Sequence, residues 1–247
     1  MTYTYKNIIK KYFIIEGITE NIKYNIKYKI KNIFICKKIL KKYFLPKNFL
    51  KKNKKYIIYI KKYIYNKLVY RKNKEGIIFI YYKNKYNLLK LNSNKNKILI
   101  ILDNIEKPGN IGAIIRTLYG INIKIIILSN YKNNIYNNNI IRSSLGYILN
   151  MKIYNDNIIN INNFIKKNKY KLYITNIYNF KSKKFYKINY KNKKIAILFG
   201  SENKGVSNIW YKYKHIKINI PTININSLNV SVAVAIIIYE IYKQNFL

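Results

Sequence analysis

Two continuous apolar runs, each ending in a polar or glycine stop, constrain the fold more than any other feature of the sequence. Residues 98–103 read ILIILD and residues 195–200 read IAILFG. A strand covered by helices on both faces is apolar at nearly every position, whereas a strand with one wet face alternates. Residues 108–120, PGNIGAIIRTLYG, follow the first run with apolar residues at helical spacing and end in Gly. Strands alternating with such helices predict an α/β domain with a parallel sheet.

The first 92 residues carry a different pattern and predict a separate unit. YFIIEG at 12–17 and the alternating residues 26–35 indicate short strands, while residues 58–70 have apolar positions three and four apart, which is typical of a helix. An Asn-rich and Lys-rich segment at 83–97 is typical of a linker. We therefore expect a small α+β domain over residues 1–92 and the α/β domain over the remaining residues, 93–247.

The charge of the chain is weak evidence for a nucleic-acid partner. The 49 Lys and Arg residues against 8 Asp and Glu residues give a formal net charge of +41, which ordinarily indicates such a partner. However, the excess residues are Lys, Asn, Ile, Tyr and Phe, whose codons are rich in A and T, so drift in an A+T-rich genome gives the same composition. The scarce residue types are then informative, because every Ala and two of the 3 Pro lie within residues 101–117, 195–207 and 218–240.

Several common sites and locations are not supported by the sequence. Gly200 and Gly205 have the spacing of a phosphate loop, but Val206 and Ser207 stand where that loop requires Lys and Ser or Thr, and no G-x-G-x-x-G follows a strand. The single His has no partner motif beside it, so we expect no metal site and no His-based triad. With 1 Cys, no leader pattern and no long apolar run, we expect a cytoplasmic protein that does not enter a membrane.

Three motifs, taken together, resemble those of one known family. They are N-x-G-x-x-x-R at 110–116, G-x-E-x-x-G-V-S at 200–207, and I-P followed by S-L-N-V-S-V-A within 220–233. In order and spacing the chain resembles the SpoU (TrmH) family of RNA ribose 2′-O-methyltransferases, in the SPOUT superfamily. The first unit also resembles the small N-terminal RNA-binding domain of some members, through Glu16-Gly17 and Gly76-Ile77.

The resemblance implies a parallel sheet that ends in a deep C-terminal trefoil knot, S-adenosylmethionine as the cofactor, and a homodimer. Knots are rare exceptions to ordinary chain topology, and composition alone does not reveal one. By the same resemblance, the cofactor is expected to contact Leu198, Gly200, Ile220, Leu228 and Asn229. The residues expected around the reaction centre are Asn110, Arg116, Glu202, Ser227 and Asn229.

Arg116 matches the family residue to which activation of the ribose hydroxyl is usually assigned. A guanidinium stays protonated in proteins, which makes it an awkward general base. We therefore interpret Arg116 as a group that stabilises the developing alkoxide and fixes a nearby phosphate, with Glu202 as a positioning acceptor or the destination of the proton. The structural alternative is that Asn110 is a helix N-cap, that Ser227 and Asn229 cap the last helix, and that Arg116 is a solvated charge.

Further candidates for phosphate contact lie outside the three motifs. They are Arg71, Arg142, Ser143 and Ser144. The function expected from the resemblance is methylation of a ribose 2′-hydroxyl in structured RNA, with large-subunit rRNA ahead of tRNA. The alternative is a dimeric RNA-binding or ribosome-assembly factor that keeps the fold without turnover. Base methylation on another knotted scaffold fits less well, because its motifs differ.

Overall fold

The computed structural model of the chain divides into two compact units. The residues that it describes are 11–18, 21, 28–42, 45–69, 74–175, 182–201 and 204–247. The N-terminal unit combines residues 1–84 with 136–150, and the C-terminal unit combines residues 85–135 with 151–247. The division after residue 92 stays a prediction, and the assignment of 136–150 to the N-terminal unit is a feature that the sequence pattern did not indicate.

Each unit is built on one sheet. The strands of the N-terminal sheet are β1 (Tyr12–Glu16), β2 (Ile30–Ile35), β3 (Ile57–Tyr59) and β4 (Ile77–Tyr82), in the order β1-β4-β2-β3. The strands of the C-terminal sheet are β5 (Ile98–Asp103), β6 (Ile125–Ser129), β7 (Lys152–Asp156), β8 (Lys171–Thr175), β9 (Lys183–Lys184), β10 (Ile195–Phe199) and β11 (Ile216–Asn219). Their order is β7-β6-β5-β10-β8-β11-β9, and each neighbouring pair is parallel.

The helices follow the same division. The helices of the N-terminal unit are α1 (Lys37–Leu40), α2 (Lys47–Asn53), α3 (Lys62–Leu68) and, later in the chain, α5 (Asn138–Ser143). Helix α4 (Pro108–Gly120) belongs to the C-terminal unit. The remaining helices, α6 (Ile158–Lys167) and α7 (Val230–Phe246), also belong to the C-terminal unit. None of the helices in the described part of the chain is long and apolar enough to cross a membrane.

The predicted α/β fold with a parallel sheet is confirmed in the C-terminal unit. Every residue of β10 is buried, and so are the last five residues of β5, as expected for strands with helices on both faces. Helix α4 buries Ile111, Ile114, Ile115 and Leu118 along one side, so its helical spacing matches the pattern in the sequence. Full burial of one such side chain is worth about 1.5–3 kcal/mol, so this layer is a major source of stability.

The central pair of strands, β5 and β10, lies at a change of direction in the sheet. From β5 the chain continues to β6 on one side, whereas from β10 it continues to β11 on the other side, beyond β8. The loops that follow β5 and β10 therefore leave neighbouring carboxyl ends in opposite directions. A crevice opens at such a point, and ligands of open α/β sheets bind there.

The predicted helix over residues 58–70 is wrong in its first part. Residues 57–59 form β3, which pairs in parallel with the edge of β2, and the helix begins only at Lys62. Ile57, Ile58 and Tyr59 are residue types that favour strands, and pairing with an available edge decides the local structure over helical spacing.

Gly76, one of the residues behind the resemblance of the N-terminal unit, lies where a side chain has no room. Its φ is +79°, and a Cβ there would lie 2.6 Å from the backbone nitrogen of Leu40. Its own N–H donates to the hydroxyl of buried Tyr65 at 2.9 Å. The glycine is therefore required by close packing of β4 on α1.

Candidate active site

A cleft opens beyond the carboxyl ends of β8, β10 and β11 in the C-terminal unit. Its walls come from the loop after β10, the segment after β11 and the first turns of α7. The cleft encloses about 660 Å³ of empty space including its open mouth. The second and third motifs, residues 200–207 and 220–233, follow β10 and β11 directly, so they begin at this end of the sheet.

The loop after β10 is a tight turn that requires glycine at its start. The N–H of Ser201 donates to the carbonyl of Gly205 at 3.0 Å, and the N–H of Gly205 donates back to the carbonyl of Ser201 at 2.9 Å. A Cβ on Gly200 would lie 2.2 to 2.4 Å from backbone atoms of Gly205 and Val206. Only glycine lets the two backbones approach this closely, so Gly200 fixes the position of one wall of the cleft.

Asp103 ties the loop after β10 to the end of β5. Its carboxylate is completely buried, and one of its oxygens accepts a hydrogen bond from the backbone N–H of Ser207 at 2.8 Å. The amide of Asn104 donates to the hydroxyl of Ser207 at 2.9 Å. Sequence reasoning did not name Asp103 or Asn104 as parts of the site, and it gave no role to Ser207, the last residue of the second motif. An acid directly after a buried apolar run in a Lys-rich chain was the signal that could have found Asp103.

The first and third motifs meet through two asparagines. The amide of Asn229 donates to the side-chain oxygen of Asn110 at 3.2 Å. The oxygen of Asn229 accepts from the N–H of Ser231 at 2.8 Å, which makes Asn229 the N-cap of α7. The alternative that Asn110 is a helix N-cap is wrong, because Lys107 is the N-cap of α4 and Asn110 lies inside its first turn.

The residues expected to hold the cofactor divide into those that line the cleft and those that do not. Gly200, Ile220 and Leu228 line it, as does Ser227 from the expected reaction centre. Leu198 is completely buried inside β10, and its carbonyl accepts a hydrogen bond from the hydroxyl of Thr175 at 3.0 Å. Leu198 therefore supports the wall from behind.

The lining combines apolar walls with a polar group that lacks a partner. Ile218, Ala233 and Ile237 contribute apolar surface beside Ile220 and Leu228. The side-chain oxygen of Asn219 is buried and, among the described residues, accepts no hydrogen bond. A buried oxygen of this kind costs free energy unless a donor reaches it, so the cleft suits a ligand that has an apolar body and an N–H or O–H group.

Arg116 does not line the cleft. Arg116 is exposed on α4 and makes no ion pair or hydrogen bond with the described residues. Glu202 lies outside the described residues, between Ser201 and Lys204. Within the described part of the chain, no group of three or more His, Cys, Asp and Glu side chains could hold a metal ion.

The candidate phosphate contacts lie in the N-terminal unit. Arg71 is outside the described residues, and Arg142 is exposed in the last turn of α5. The hydroxyl of Ser143 donates to the carbonyl of Asn139 at 2.6 Å. Ser144 is completely buried and donates to the carbonyl of Ile141 at 3.0 Å, so the prediction for this residue is corrected: its hydroxyl closes the end of the helix and is not presented to a phosphate.

Comparison with known proteins gives one family and a group of similar folds. Residues 97–239 match the SpoU rRNA Methylase family. A protein of Borreliella burgdorferi described as an uncharacterized tRNA/rRNA methyltransferase is 36% identical over 163 residues, which cover 64% of this chain and 69% of that protein.

Two solved structures are similar over the whole length of the chain. The AdoMet-bound rRNA methyltransferase of Sinorhizobium meliloti has a TM-score of 0.83 and 19% identity, covering 100% of this chain and 96% of that one. An RNA 2′-O ribose methyltransferase has a TM-score of 0.75 and 20% identity, covering 100% of this chain and 93% of that one. At these identities the likeness is one of fold.

Proposed function

Because the chain belongs to the SpoU rRNA Methylase family, we propose that it transfers a methyl group from S-adenosylmethionine to a ribose 2′-hydroxyl of RNA. The observation that carries the proposal is the contact between Asn110 and Asn229 beside a cleft whose wall is fixed by Gly200. These three residues belong to three separate motifs that lie far apart in the sequence. We further propose rRNA, ahead of tRNA, as the substrate, because the matching family model is that of an rRNA methylase. The choice of large-subunit rRNA rests on the resemblance of the N-terminal unit to the RNA-binding domain of some family members.

The lining of the cleft suits the chemistry of S-adenosylmethionine. Gly200 allows the tight turn that forms one wall of the cleft, while Ile220, Leu228 and Ala233 provide apolar surface that excludes water. The buried oxygen of Asn219 can accept from an amine or hydroxyl of the ligand. When bound, S-adenosylmethionine supplies the methyl group that the ribose oxygen receives. Asn229 lies beside Leu228 and is proposed to contact both the cofactor and the reaction centre.

The protein's part in the reaction is to orient the ribose and to lower the cost of removing its proton. Asn229 orients Asn110 by donating to its side-chain oxygen, and this pair is placed to position the 2′-hydroxyl. Arg116, which is exposed, is proposed to stabilise the developing negative charge on the oxygen and to hold a neighbouring phosphate. The proton then leaves to phosphate, to water or to Glu202. Ser227 lines the cleft and completes the proposed set.

We also propose the trefoil knot and the homodimer that the resemblance implies. In support of the knot, the segments after β10 and β11 and the start of α7 all border the same cleft, and α7 packs on α4. In support of a dimer, α7 leaves the apolar side chains of Val232 and Tyr239 about half exposed.

The proposed function is tested by transfer of labelled methyl from S-adenosylmethionine to unmodified transcripts of large-subunit rRNA and of tRNA. We expect the label on a ribose 2′-oxygen, at one site. Arg116→Ala and Asn229→Ala should each lower the rate by roughly 10²-fold or more, as loss of a group that stabilises charge typically does. Lys166→Ala, on the exposed last turn of α6, is the matched control and should transfer at the parental rate.

Other outcomes have definite meanings. Label on a base would overturn the ribose assignment. If S-adenosylmethionine and RNA bind but no RNA accepts the label, the protein is a binding or assembly factor on this fold. Preference between the two transcripts decides between rRNA and tRNA.

A further inference from the structure

A second groove lies on the other side of the loop that closes the cleft. We call it the edge groove; polar and apolar surface line it about equally, and it encloses about 1300 Å³ of empty space including its open mouth. Ser201 and Gly205 line both the edge groove and the cleft, so the single turn between them separates the two. The residues of the edge groove that bear on its chemistry are Asn104, Asn130, Tyr131, Lys132, Lys204 and Ser207.

The position of the edge groove in the sheet is that of a ligand site. Its walls are the loops after β5, β6 and β10, so it occupies the crevice where the chain changes direction between β5 and β10. The wall formed by the loop after β5 leads within a few residues to Asn110. A chain molecule lying in the edge groove is thus next to both the cleft and the proposed reaction centre.

The floor of the edge groove is held in a fixed conformation. Asn155, at the end of β7, clamps the backbone of Tyr131: its amide donates to the Tyr131 carbonyl at 2.7 Å, and its oxygen accepts from the Tyr131 N–H at 3.2 Å. Asn130 adopts a φ of 52°, and its N–H donates to the carbonyl of Asp156 at 2.9 Å. These contacts fix the Tyr131 backbone before any ligand arrives, which lowers the entropic cost of binding.

The opposite wall is also fixed. Asn104 has a φ of 52° and donates to the hydroxyl of Ser207, whose N–H is held by the buried carboxylate of Asp103. The two walls therefore come from hydrogen-bonded loops on rigid strands. A site of this kind holds its shape in the absence of ligand.

The side chains of the edge groove suit a nucleotide. Tyr131 is half-buried, and burial raises the pKa of its phenol, so the ring stays neutral and the hydroxyl can donate. Lys132 and Lys204 are exposed, and neither takes part in an ion pair with the described residues. Aromatic and amide side chains bind unstacked bases, whereas lysines bind phosphates. Glu106 also lines the edge groove, and its carboxylate disfavours a phosphate on that side.

We propose that the edge groove binds the RNA nucleotide adjacent to the one that is methylated, with its base against Tyr131 and its flanking phosphates at Lys132 and Lys204. The inference rests on the proposed function. The edge groove is a substrate site because the cleft on the other side of the loop is the proposed site of the methyl donor. The occupant is single-stranded at this position, because a base that is paired and stacked inside a duplex cannot also stack on Tyr131.

The stacking contact is tested with a pair of variants at one position. Tyr131→Ala should raise the KM for an unmodified rRNA transcript about tenfold, since base stacking on an aromatic side chain is worth about 1–3 kcal/mol. Tyr131→Phe keeps the ring and should stay within about twofold of the parent, because the stacking surface is retained. The Kd of S-adenosylmethionine, measured by calorimetry, should be unchanged in both variants, which shows that the C-terminal unit is folded.

The phosphate contacts are tested by salt dependence. Lys132→Ala combined with Lys204→Ala should make the negative slope of log K against log salt shallower by about 1.4, where K is the association constant of an oligouridine probe. Each contacted phosphate of a single strand contributes about 0.7 to the size of this slope. The matched control is Lys166→Ala with Lys167→Ala. These lysines are exposed at the end of α6, and β8 begins four residues later. They therefore lie near the amino ends of the strands, whereas the edge groove lies at the carboxyl ends. Their removal should leave the slope close to that of the parent.

Cross-linking gives a readout that does not depend on turnover. An oligouridine probe that contains 4-thiouridine should cross-link, on irradiation, to the peptide that carries Tyr131. If the parent methylates RNA but Tyr131→Ala leaves both the KM and the cross-linked peptide unchanged, the edge groove is overturned and the proposed function stands. If no RNA accepts a methyl group yet the cross-link and the lysine effect on the salt slope are found, the proposed function fails and the edge groove stands as an RNA site.

Discussion

Asn229 has two separable roles at the scale of single residues. Its oxygen caps α7 through the N–H of Ser231, and its amide nitrogen reaches Asn110. Replacing an N-cap residue by Ala costs about 0.5–2 kcal/mol, whereas Ser is itself a good N-cap. The contact with Asn110, by contrast, requires the amide, which serine lacks.

We therefore predict different outcomes for two variants at this position. Asn229→Ser should keep the parental free energy of unfolding within a few tenths of a kcal/mol, because a cap is retained, and should still lose methyl transfer. Asn229→Ala should lose transfer and about 1 kcal/mol of stability. Urea unfolding and single-turnover transfer are the two measurements. Transfer at the parental rate by Asn229→Ser would show that the residue is only a cap.

At the scale of elements, the turn after β10 depends on Gly200. We predict that Gly200→Ala displaces this turn, because its Cβ would lie 2.2 Å from the backbone carbon of Gly205, where no flexible side chain can move aside. Affinity for S-adenosylmethionine, measured by calorimetry, should fall by at least about tenfold, since overpacking of this kind typically costs about 1–3 kcal/mol.

The control for this prediction is Gly109→Ala. Gly109 lies in the first turn of α4, where a Cβ would meet nothing within 4 Å. Because the added Cβ meets nothing, this variant should bind the cofactor with the parental affinity. Alanine favours a helix over glycine by up to about 1 kcal/mol, so its free energy of unfolding should be slightly higher than that of the parent. Equal affinity in Gly200→Ala and Gly109→Ala would remove the turn from the binding site.

Elements whose own sequence determines their structure were the ones that could be predicted. Helix α4 begins and ends at the predicted residues, 108 and 120, because Pro is favoured at its start and its apolar residues repeat at helical spacing. Strand β3 was missed, since it depends on an edge of β2 that the sequence does not display. The alternative that Asn110 is the N-cap of α4 was wrong, because the helix begins after Lys107, whose side chain makes no capping hydrogen bond.

The site was predictable as a set of motifs but not as a set of contacts. Gly200, Ile220 and Leu228 were named from their motifs and line one cleft. Asp103 was not named, because its role is a hydrogen bond to Ser207, 104 residues away in the sequence. Pairs at such separations are set by the order of the strands, which no local pattern contains.

At the scale of the whole molecule, the unusual composition enters the core as tyrosine. The chain has 28 Tyr residues. Those with both burial and a raised phenol pKa include Tyr81 in the N-terminal unit and Tyr170, Tyr173 and Tyr190 in the C-terminal unit. Burial is the first cause in each case, since it disfavours the phenolate. Ionisation of these phenols therefore destabilises the folded core.

This leads to a prediction about alkaline pH, with Tyr170 as the probe. Burial raises the pKa of Tyr170 from 10.0 to about 12, and its hydroxyl donates to the carbonyls of Ser93 and Asn96. Between these two values the folded state holds a proton that the unfolded state has lost, so the free energy of unfolding falls as pH rises. The contribution of Tyr170 is complete below pH 10 and is lost as pH rises through the folded pKa.

Comparison with Tyr170→Phe isolates this contribution from that of the many lysines, which titrate in the same range. At pH 8 the variant should be less stable than the parent by about 1 kcal/mol, because two carbonyls lose a donor. Between pH 10 and pH 12 the parent should lose stability more steeply than the variant, so the difference between them should narrow. Denaturant unfolding at each pH measures it. A difference that stays constant from pH 8 to pH 12 would show that the Tyr170 phenol ionises as readily in the folded protein as in the unfolded chain.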